Sequence, residues 1–423
     1  MEIERNDYLE KLLSHRWNGR VKIITGIRRC GKSYLLFNIF KNQLVSSGVS
    51  PEDIIEVKLD EIEYIALRNP LTLYDFIKSR TSDGKKRYVL IDEIQLVPKM
   101  KNPYVEDGEE ITFYETLNSL LNTGYLDIYV TGSNSHMLSI DILTQFRGRG
   151  DEIRIHPLSF SEYYAAKSGD RSSAYREYLT FGGMPRILSI ESEEEKAKYL
   201  KELFTETYIK DICERHVVEY PELLEGIIDF ISSNVGSLTN PSQIAAQFKD
   251  VSHVTVKTYM GYLEEAFLFS EAKRYDIKGK KYFSYPQKYY CEDLGLRNAR
   301  LNFRQQEPTH LMENAIYNEL LIRGYSVDVG VVTINGKNKD GESIRKPKEI
   351  DFIANKYEEK VYIQSAFSIP DEKKLSSEVD QFNQTGDSFR KIVVRGDVGN
   401  RWFDDSGVLH INVIDFMLDK ELV

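Results

Sequence analysis

The amino-acid sequence predicts an α/β protein whose central element is a strand followed by a glycine-containing loop and a helix. The segment VKIIT at 21–25 is a run of apolar and β-branched residues that is typical of a buried strand. It leads into the loop GIRRCGKS at 26–33, and the segment SYLLFNIFKNQL that follows has the spacing of an amphipathic helix. Two further apolar runs, RYVLIDEIQ at 87–95 and LDIYVTGSNS at 126–135, have the pattern of buried strands that end in polar residues.

The bulk composition limits the class of protein. The chain has 423 residues, enough for roughly two to four domains, and its 41% hydrophobic and 29% charged residues are ordinary for a soluble globular protein. The formal net charge of −10 argues against a protein that coats nucleic acid or anionic membrane over its whole surface, although a local basic patch is compatible with it. Cys30, Cys213 and Cys291 are too far apart for a zinc motif or a disulfide framework. Together with a charged N-terminus and no long apolar run, this cysteine usage predicts a cytoplasmic protein.

The loop at 26–33 matches the pattern G-x-x-x-x-G-K-[ST] at every fixed position. Its place between a strand and a helix directs backbone N–H groups and a helix N-terminus at phosphate. Gly26 and Gly31 permit close approach of the backbone. Lys32 is predicted to reach the β- and γ-phosphates, and Ser33 to ligate Mg²⁺. The residues predicted to bind ATP form one continuous stretch: Gly26, Ile27, Arg28, Arg29, Cys30, Gly31, Lys32, Ser33 and Tyr34.

Polar residues after the other two apolar runs are predicted to complete a hydrolytic site. Asp92 suits the acid that holds Mg²⁺ together with Ser33, and Glu93 is placed to orient or deprotonate the attacking water. After the third run, Asn134 or Ser133 is the candidate for contact with the γ-phosphate or the water, and Asn134 is taken as the catalytic residue. The competing interpretation of this last segment is a plain turn.

A basic turn follows in FRGRGDEIRIHPL, directly before a short predicted strand. Arg147 or Arg149 is predicted to act as an arginine finger on the nucleotide of a neighbouring subunit, and Arg149 is favoured. This interpretation implies a homo-oligomer. The competing interpretation is a solvated basic turn.

These motifs, together with several later ones, resemble those of one protein family. They are TGIRRCGKSYLL, LIDEIQ, VTGSNS, FRGRGDEIRIHPLSFSEYY, YLTFGGMPRIL, ETYIKDICERH, YYCEDLGLRNAR, ENAIYNELLIRGYSVDVG and KEIDFIANK, in this order over nearly the whole chain. The chain resembles the AAA-type ATPases of bacteria and archaea that carry a C-terminal domain of unknown function with a restriction-endonuclease-like fold. The resemblance implies a P-loop AAA+ ATPase core at 1–158, a helical lid region at 159–220, a winged-helix domain at 221–290 and a degenerate nuclease-like domain at 291–423.

The middle of the chain has the pattern of a winged helix. PELLEGIIDFISSNVGS, NPSQIAAQF and VTVKTYMGYLEEAFLF predict three helices, and FLFSEAKRYDIKGKKYFSYP predicts a hairpin, the wing, around Gly279. In a reader of duplex DNA the third helix touches bases and the wing contacts phosphates. The candidates are Ser252, His253, Thr255 and Lys257 on the helix and Lys273, Arg274, Lys278, Lys280 and Lys281 on the wing. The alternative is a packing or oligomerisation module, which Glu264 and Glu265 favour.

The C-terminal third resembles the PD-(D/E)xK nuclease core but departs from its pattern. That core holds Mg²⁺ with a helix glutamate, a strand aspartate and a (D/E)-x-K pair on the next strand. Glu313 and Asp351 match the first two positions, but Gln364 and Ala366 replace the second acid and the lysine. Because an amide ligates Mg²⁺ poorly compared with a carboxylate, the sequence predicts an inactive domain. Lys348 and Lys356, which are close in sequence to these positions, are the candidates to take over the role of the missing lysine.

The sequence as a whole predicts a Mg²⁺-dependent AAA-type ATPase that couples its nucleotide state to binding of DNA or another partner. The coupling would run through the winged helix and the inactive nuclease-like domain. The set of Lys32, Ser33, Asp92 and Glu93 favours this function. The alternatives are a slow nucleotide-gated binding switch without significant turnover and, third, an active metal-dependent nuclease.

Overall fold

A computed structural model describes residues 3–105, 109–132, 146, 148–337 and 343–422. The chain divides into two compact units. The N-terminal unit contains residues 2–156 and 265–267, and the C-terminal unit contains 157–264 and 268–423. None of the helices in the described ranges combines the length and apolar character that a membrane-spanning helix requires.

The N-terminal unit is built on a parallel sheet. Its strands are β1 (Val21–Thr25), β2 (Ile54–Lys58), β3 (Arg87–Asp92), β4 (Met100–Lys101), β5 (Glu110–Ile111), β6 (Leu126–Thr131) and β7 (Gly150–Arg154). Among the described residues the sheet has the order β2-β3-β6-β1-β7, and β4 pairs with β5 in a separate antiparallel ribbon. Every residue of β1 and β6 is buried, as their unbroken apolar runs predict for central strands. The carboxyl ends of β3, β6 and β1 therefore meet at one edge of the sheet.

Helices cover this sheet, and two of them begin at side-chain caps. They are α1 (Asn6–Ser14), α2 (Lys32–Tyr34), α3 (Lys41–Ser46), α4 (Pro70–Arg80) and α5 (Phe113–Leu121), with 3₁₀ turns at Pro51–Asp53, Ile62–Arg68 and Ile94–Leu96. Asn69 caps α4 through its side chain, and Thr112 forms a capping box with Glu115 at the start of α5. The helix predicted after the loop is interrupted, because Leu35–Phe40 forms a π-helix between α2 and α3.

The C-terminal unit starts with helices. Its helices are α6 (Phe160–Lys167), α7 (Arg171–Phe181), α8 (Glu193–Glu202), α9 (Lys210–Arg215), α10 (Pro221–Ser233), α11 (Pro241–Ala245), α12 (His253–Glu265), α13 (Leu294–Arg300), α14 (Pro308–Ile322), α15 (Glu372–Val379) and α16 (Val413–Leu418). A π-helix at Leu203–Ile209 precedes α9, and 3₁₀ turns lie at Pro185–Ser189 and Phe382–Gln384. The apolar stripe predicted for α12 is confirmed, since Val256, Tyr259, Met260 and Leu263 are all buried.

Two sheets follow α10 in this unit. Their strands are β8 (Leu238–Thr239), β9 (Phe269–Ala272), β10 (Arg274–Asp276), β11 (Lys281–Tyr282), β12 (Gln287–Cys291), β13 (Ser326–Lys337), β14 (Ser343–Lys356), β15 (Glu359–Ala366), β16 (Arg390–Arg395), β17 (Trp402–Phe403) and β18 (Leu409–Asn412). The small sheet has the order β8-β12-β9, and all its pairs are antiparallel. The large mixed sheet has the order β11-β10-β13-β14-β15-β16-β18-β17.

The hairpin that was predicted to be a wing belongs to the large sheet. β10 and β11 do pair antiparallel around Gly279, but β10 also pairs parallel with β13. The hairpin therefore forms an edge of the large sheet rather than a free wing of the small one. The physical reason is burial, because Tyr275 and Ile277 pack against the apolar core of the large sheet. In the small sheet, β9 pairs antiparallel with β12.

A buried carboxylate explains the paired glycines of the FGGMP segment. Asp293 caps α13 by accepting the N–H of Leu296 at 3.0 Å, and it also accepts the N–H of Gly183 at 2.7 Å. A Cβ atom on Gly182 would lie 2.2 Å from Oδ1 of Asp293, so this position has no room for a side chain. Burial raises the pKa of Asp293 to about 6, although the backbone hydrogen bonds favour its charged form. Asp293 thus ties the end of α7 to the start of α13.

Candidate functional site

The loop after β1 has a backbone that requires glycine. Gly26 has a φ of +138°, and a Cβ atom there would lie 2.0 Å from the carbonyl oxygen of Ile155. Gly31 has a φ of +103°, and Arg29, with a φ of +65°, also lies in the left-handed region. The loop is therefore tightly curled against the end of β7, and both pattern glycines are explained by local geometry.

The side chain of Lys32 stabilises the curled conformation of this loop. This side chain is buried, and Nζ donates hydrogen bonds to the carbonyl oxygens of Gly26 at 2.9 Å and Ile27 at 3.1 Å. Ile27 and Cys30 are also buried, so these two residues face the interior and can offer a ligand only their backbone groups. The exposed loop side chains are those of Arg29 and Tyr34, with Arg28 partly exposed. The loop thus has a cation at its centre with solvent-facing residues around it.

Three oxygen-bearing side chains meet beside the loop. Ser33 Oγ donates to Oδ1 of Asp92 at 3.0 Å, and Thr131 Oγ1 donates to the same oxygen. Thr131 Oγ1 also accepts the N–H of Glu93 at 3.0 Å. Thr131 was not predicted from the sequence, although its position at the end of β6 directly before a glycine is a signal that could have identified it. Because β6 lies between β1 and β3, Thr131 is the residue that links the loop strand to the acidic strand.

The electrostatics of Asp92 are set by burial and by these donors. Burial raises the pKa of Asp92, the hydrogen bonds from Thr131 and Ser33 lower it, and the charge of Glu93 raises it, with a net increase. Glu93 itself is partly exposed and has a φ of +53°, in the left-handed region. Its carboxylate accepts a hydrogen bond from the side-chain amide of Gln95. The proposed base is therefore already bonded to a close neighbour in the chain, a contact that the sequence did not predict.

The chemistry of these residues fits a nucleotide with Mg²⁺. A hydroxyl and a carboxylate oxygen lie 3.0 Å apart at Ser33 and Asp92, and oxygen atoms of this kind are the ligands that Mg²⁺ prefers. Lys32 is bonded only to neutral carbonyl oxygens among its described contacts, so its charge is not cancelled by a carboxylate. The curled loop, the lysine and the oxygen pair can together hold a phosphate chain and its cation.

Arg149 lies far from these residues. It directly precedes β7, whose first residue Gly150 pairs with Val21 at the start of β1, whereas the loop follows the end of β1. Since β1 is roughly 13 Å long, Arg149 lies at the opposite end of the strands from Lys32. Its guanidinium is exposed, donates to Oδ1 of Asn122 at 2.6 Å, and lines a cavity of about 320 Å³. Asn134, Ser133 and Arg147 lie outside the described residues.

The predicted nuclease positions come together in the C-terminal unit. Glu313 on α14 and Asp351 on β14 both contact Lys288 on β12, and the N–H of Asp351 donates to Oε1 of Gln364 at 3.3 Å. Lys288 was not predicted, because it is distant in sequence from both acids. Neither suggested substitute contacts this group: Lys348 donates to the carbonyl oxygen of Ser377, and Lys356 to that of Arg323. In the described part of the chain, no group of three or more His, Cys, Asp or Glu residues is arranged to hold a metal ion.

Some of the predicted DNA-contacting side chains are exposed, and others are engaged in hydrogen bonds or ion pairs. At the start of α12, Ser252 Oγ accepts the N–H of Thr255 at 3.0 Å, while His253 and Lys257 are exposed. Arg274 Nε pairs with Oε1 of Glu349 at 3.0 Å, so its charge already has a partner within the chain. The exposed lysines of the hairpin region are Lys273, Lys278, Lys280 and Lys281.

Comparison with known proteins gives two family matches along the chain. Residues 18–164 match the model of an AAA domain, and residues 172–307 match a domain of unknown function. An uncharacterized protein of Haemophilus influenzae is 34% identical over 426 residues, covering 98% of this chain and 98% of that protein. An uncharacterized protein of Methanocaldococcus jannaschii is 26% identical over 354 residues, covering 79% of this chain and 72% of that protein.

Among solved structures, the Aeropyrum pernix ORC1 protein in complex with DNA is similar over 71% of this chain and 93% of its own. The sequence identity is 12% and the TM-score is 0.29. A likeness at this level carries no information on substrates or partners. The grounds for assigning a function are therefore the AAA-domain match and the geometry of the site.

Proposed function

This chain belongs to the same family as the uncharacterized Haemophilus influenzae relative and matches an AAA domain at residues 18–164, and we propose that it is a Mg²⁺-dependent ATPase. The observation that carries the proposal is the convergence of Ser33, Asp92 and Thr131 beside the curled loop that contains Lys32. The loop, β3 and β6 all contribute to this group at one edge of the sheet, and its members have the charges that phosphate and Mg²⁺ require.

Each residue of the site has a defined role in this proposal. Lys32 exchanges the carbonyl oxygens of Gly26 and Ile27 for phosphate oxygens, which are better partners for an ammonium because they are charged. Ser33 and Asp92 would hold Mg²⁺, which neutralises phosphate charge and orients the terminal phosphate when bound. Thr131 keeps Asp92 in position.

Glu93 is proposed to accept the proton of the attacking water, which requires its carboxylate to leave the amide of Gln95. Asn134, the other residue predicted to contact the γ-phosphate or the water, stays a candidate for that role. Arg149 cannot reach the phosphates of its own chain, so a finger role requires a neighbouring copy and a homo-oligomer.

The four-part organisation and DNA contact are part of the same proposal. The order α10, β8, α11, α12, β9, β12 supports a winged helix at 221–290. A helical lid at 159–220 is supported by α6 to α9, and a degenerate nuclease-like domain at 291–423 by the large mixed sheet with Glu313 and Asp351. Exposed Lys257, Lys278, Lys280 and Lys281 support contact with the phosphates of duplex DNA.

One observation favours the second candidate, a nucleotide-gated binding switch with slow turnover. The Gln95 amide donates to the Glu93 carboxylate, so the carboxylate must give up this hydrogen bond before it can contact the attacking water. A protein that keeps the hydrogen bond between Gln95 and Glu93 after ATP binds would hydrolyse ATP slowly. Its bound nucleotide would then control which partner it binds.

Steady-state phosphate release, with and without duplex DNA, tests both candidates. Glu93→Gln is expected to keep ATP binding and lose hydrolysis, because an amide cannot serve as the base. Glu63→Gln changes an exposed glutamate of the same unit and is expected to keep the wild-type rate. Hydrolysis by Glu93→Gln at the wild-type rate would refute the role of Glu93. A several-fold faster release by Gln95→Ala would support the switch, and an unchanged rate would count against it.

A further inference from the structure

An ammonium group lies between the two carboxylates that a nuclease of this fold would use to hold a divalent cation. Lys288 Nζ is 3.1 Å from Oε1 of Glu313 and 3.4 Å from Oδ1 of Asp351, and Oε2 of Glu349 is 3.8 Å away. These four residues are called the Lys288 cluster. Lys288 comes from β12 of the small sheet, Glu313 from α14, and the other two from β14 of the large sheet, so the cluster joins separate elements.

The charges of the cluster are removed from water. Lys288 is 5% exposed, Glu313 7% and Asp351 8%. A buried charge without a partner is costly, so the ammonium and the carboxylates depend on one another. Burial by itself lowers the pKa of Lys288, but the charges of the three neighbouring carboxylates outweigh it, and the pKa is raised above its ordinary value. Lys288 therefore carries its positive charge throughout the neutral pH range.

Two further donors of the chain form hydrogen bonds with these carboxylates. Tyr290 Oη donates to Oε1 of Glu313 at 2.7 Å, the same oxygen that faces Lys288. The N–H of Ser365 donates to Oδ2 of Asp351 at 3.0 Å. Each of the two acids thus faces the Lys288 ammonium and accepts a further hydrogen bond from another group of this chain.

The other two nuclease positions do not offer ligands for a metal. The side-chain oxygen of Gln364 accepts the N–H of Asp351, and its Nε2 donates to Oε2 of Glu378 at 3.0 Å. Ala366 is a buried methyl group in the apolar core. The residues present therefore do not fit the Mg²⁺ site that the resemblance to nucleases implies.

We propose that Lys288 is the resident cation of this site, and that its ammonium takes the place of a divalent metal between Glu313 and Asp351. The site is then a metal-free ionic junction between β12, α14 and β14. A divalent ion could enter only by displacing a positive charge that is fixed to the chain, and the repulsion between two cations at this distance opposes it. The opposite assignment, in which Lys288 acts beside a bound metal as the catalytic lysine, predicts metal binding by the unaltered cluster.

The test counts bound Mn²⁺ by electron paramagnetic resonance on the full chain without nucleotide. All variants carry Asp92→Asn, which removes the carboxylate proposed to hold Mg²⁺ beside the P-loop. With the Lys288 cluster intact, no Mn²⁺ binding that depends on Asp351 is expected. Lys288→Ala removes the charge and opens space, and it is expected to gain one Mn²⁺ per chain, which a further Asp351→Asn change abolishes. Lys356→Ala, which removes a lysine of β14 that donates to the carbonyl oxygen of Arg323, is the matched control and is expected to gain none.

Two results would overturn the proposal. One is Asp351-dependent Mn²⁺ binding by the intact cluster, or Mn²⁺-dependent cleavage of plasmid, single strands or structured RNA that Asp351→Asn abolishes. The other is a folded Lys288→Ala variant that gains no Mn²⁺. Should Lys288→Ala not fold, thermal melting of the intact-cluster chain with and without Mn²⁺ decides: an unchanged Tm supports the proposal, and an Asp351-dependent rise refutes it. None of these measurements requires ATP hydrolysis, so their outcome is independent of the proposed ATPase.

Discussion

Ser33 Oγ lies 3.0 Å from Asp92 Oδ1, which joins the first turn after the P-loop to the end of β3. The two residues are 59 positions apart in the chain. Ser33 lies in α2, after the loop that follows β1, and Asp92 is the last residue of β3. The hydroxyl of Ser33, together with that of Thr131, donates a hydrogen bond to the buried Asp92 carboxylate. In the proposed site, the oxygens of Ser33 and Asp92 would turn toward Mg²⁺ instead of toward each other.

Lys32→Ala is expected to weaken ATP binding about 10- to 100-fold, because it removes charge-assisted hydrogen bonds of about 1.5–3 kcal/mol to phosphate. Titration with a fluorescent ATP analogue measures the loss of affinity. The control is Lys41→Ala, which removes a lysine at the start of α3 that pairs with Glu56 of β2. This variant is expected to keep the wild-type affinity. Equal affinities for all three proteins would show that the loop does not hold the phosphates.

Thr131→Val is expected to lower both stability and ATPase activity. The valine has the shape of threonine but leaves Asp92 without one donor and the N–H of Glu93 without its acceptor. Loss of buried hydrogen bonds of this kind costs about 1–3 kcal/mol, to be measured by urea denaturation. Thr123→Val removes a hydroxyl that bonds the carbonyl oxygen of Leu120 at a helix end, and we expect a smaller effect. A Thr131→Val protein as stable and active as the wild type would contradict this assignment.

Replacing Lys278, Lys280 and Lys281 together with Ala is expected to weaken binding of duplex DNA evenly across sequences. Interactions with phosphate carry no sequence information, and the salt dependence of binding should fall by about one unit for each phosphate that the variant no longer neutralises. Fluorescence anisotropy over a range of salt concentrations measures both effects. The control is a triple change of exposed lysines elsewhere in the same unit: Lys198, Lys201 and Lys373. An identical salt slope in the two triple variants would exclude the hairpin as a DNA-binding element.

Asp293 makes the stability of the protein depend on pH in a defined direction. Because burial raises its pKa to about 6, the folded chain keeps the proton over a range in which the unfolded chain has already lost it. The free energy of unfolding should therefore decrease as pH rises from about 4 to about 6, by an amount on the order of 3 kcal/mol from this residue. Asp293→Asn should remove that decrease, as followed by urea denaturation at each pH. Asp405→Asn, at an exposed position, should leave it intact. Parallel curves for the wild type and Asp293→Asn would disprove the effect.

The parts of this protein that could be predicted from sequence are those in which neighbouring residues act together. The P-loop is continuous from Gly26 to Ser33, and its conformation follows from glycine positions and from a strand and helix on either side. The burial of β1, β3 and β6 follows from their unbroken apolar runs, and the stripe of α12 from its periodicity. The acidic pair Asp92 and Glu93 was identified for the same reason, because a polar pair directly after an apolar strand stands out locally.

The sequence by itself thus determined the α/β class, the phosphate loop and the acids that follow the apolar strands, since these depend on interactions between near neighbours. Tertiary structure alone decided which distant side chains meet. It brought Thr131 onto Asp92, Lys288 between Glu313 and Asp351, and Asp293 onto Gly183. It also placed the predicted wing hairpin on β13, because burying Tyr275 and Ile277 in the large sheet outweighs any local preference. Hydrogen bonds and ion pairs between remote residues leave no periodic pattern in the chain, so only the folded arrangement reveals them.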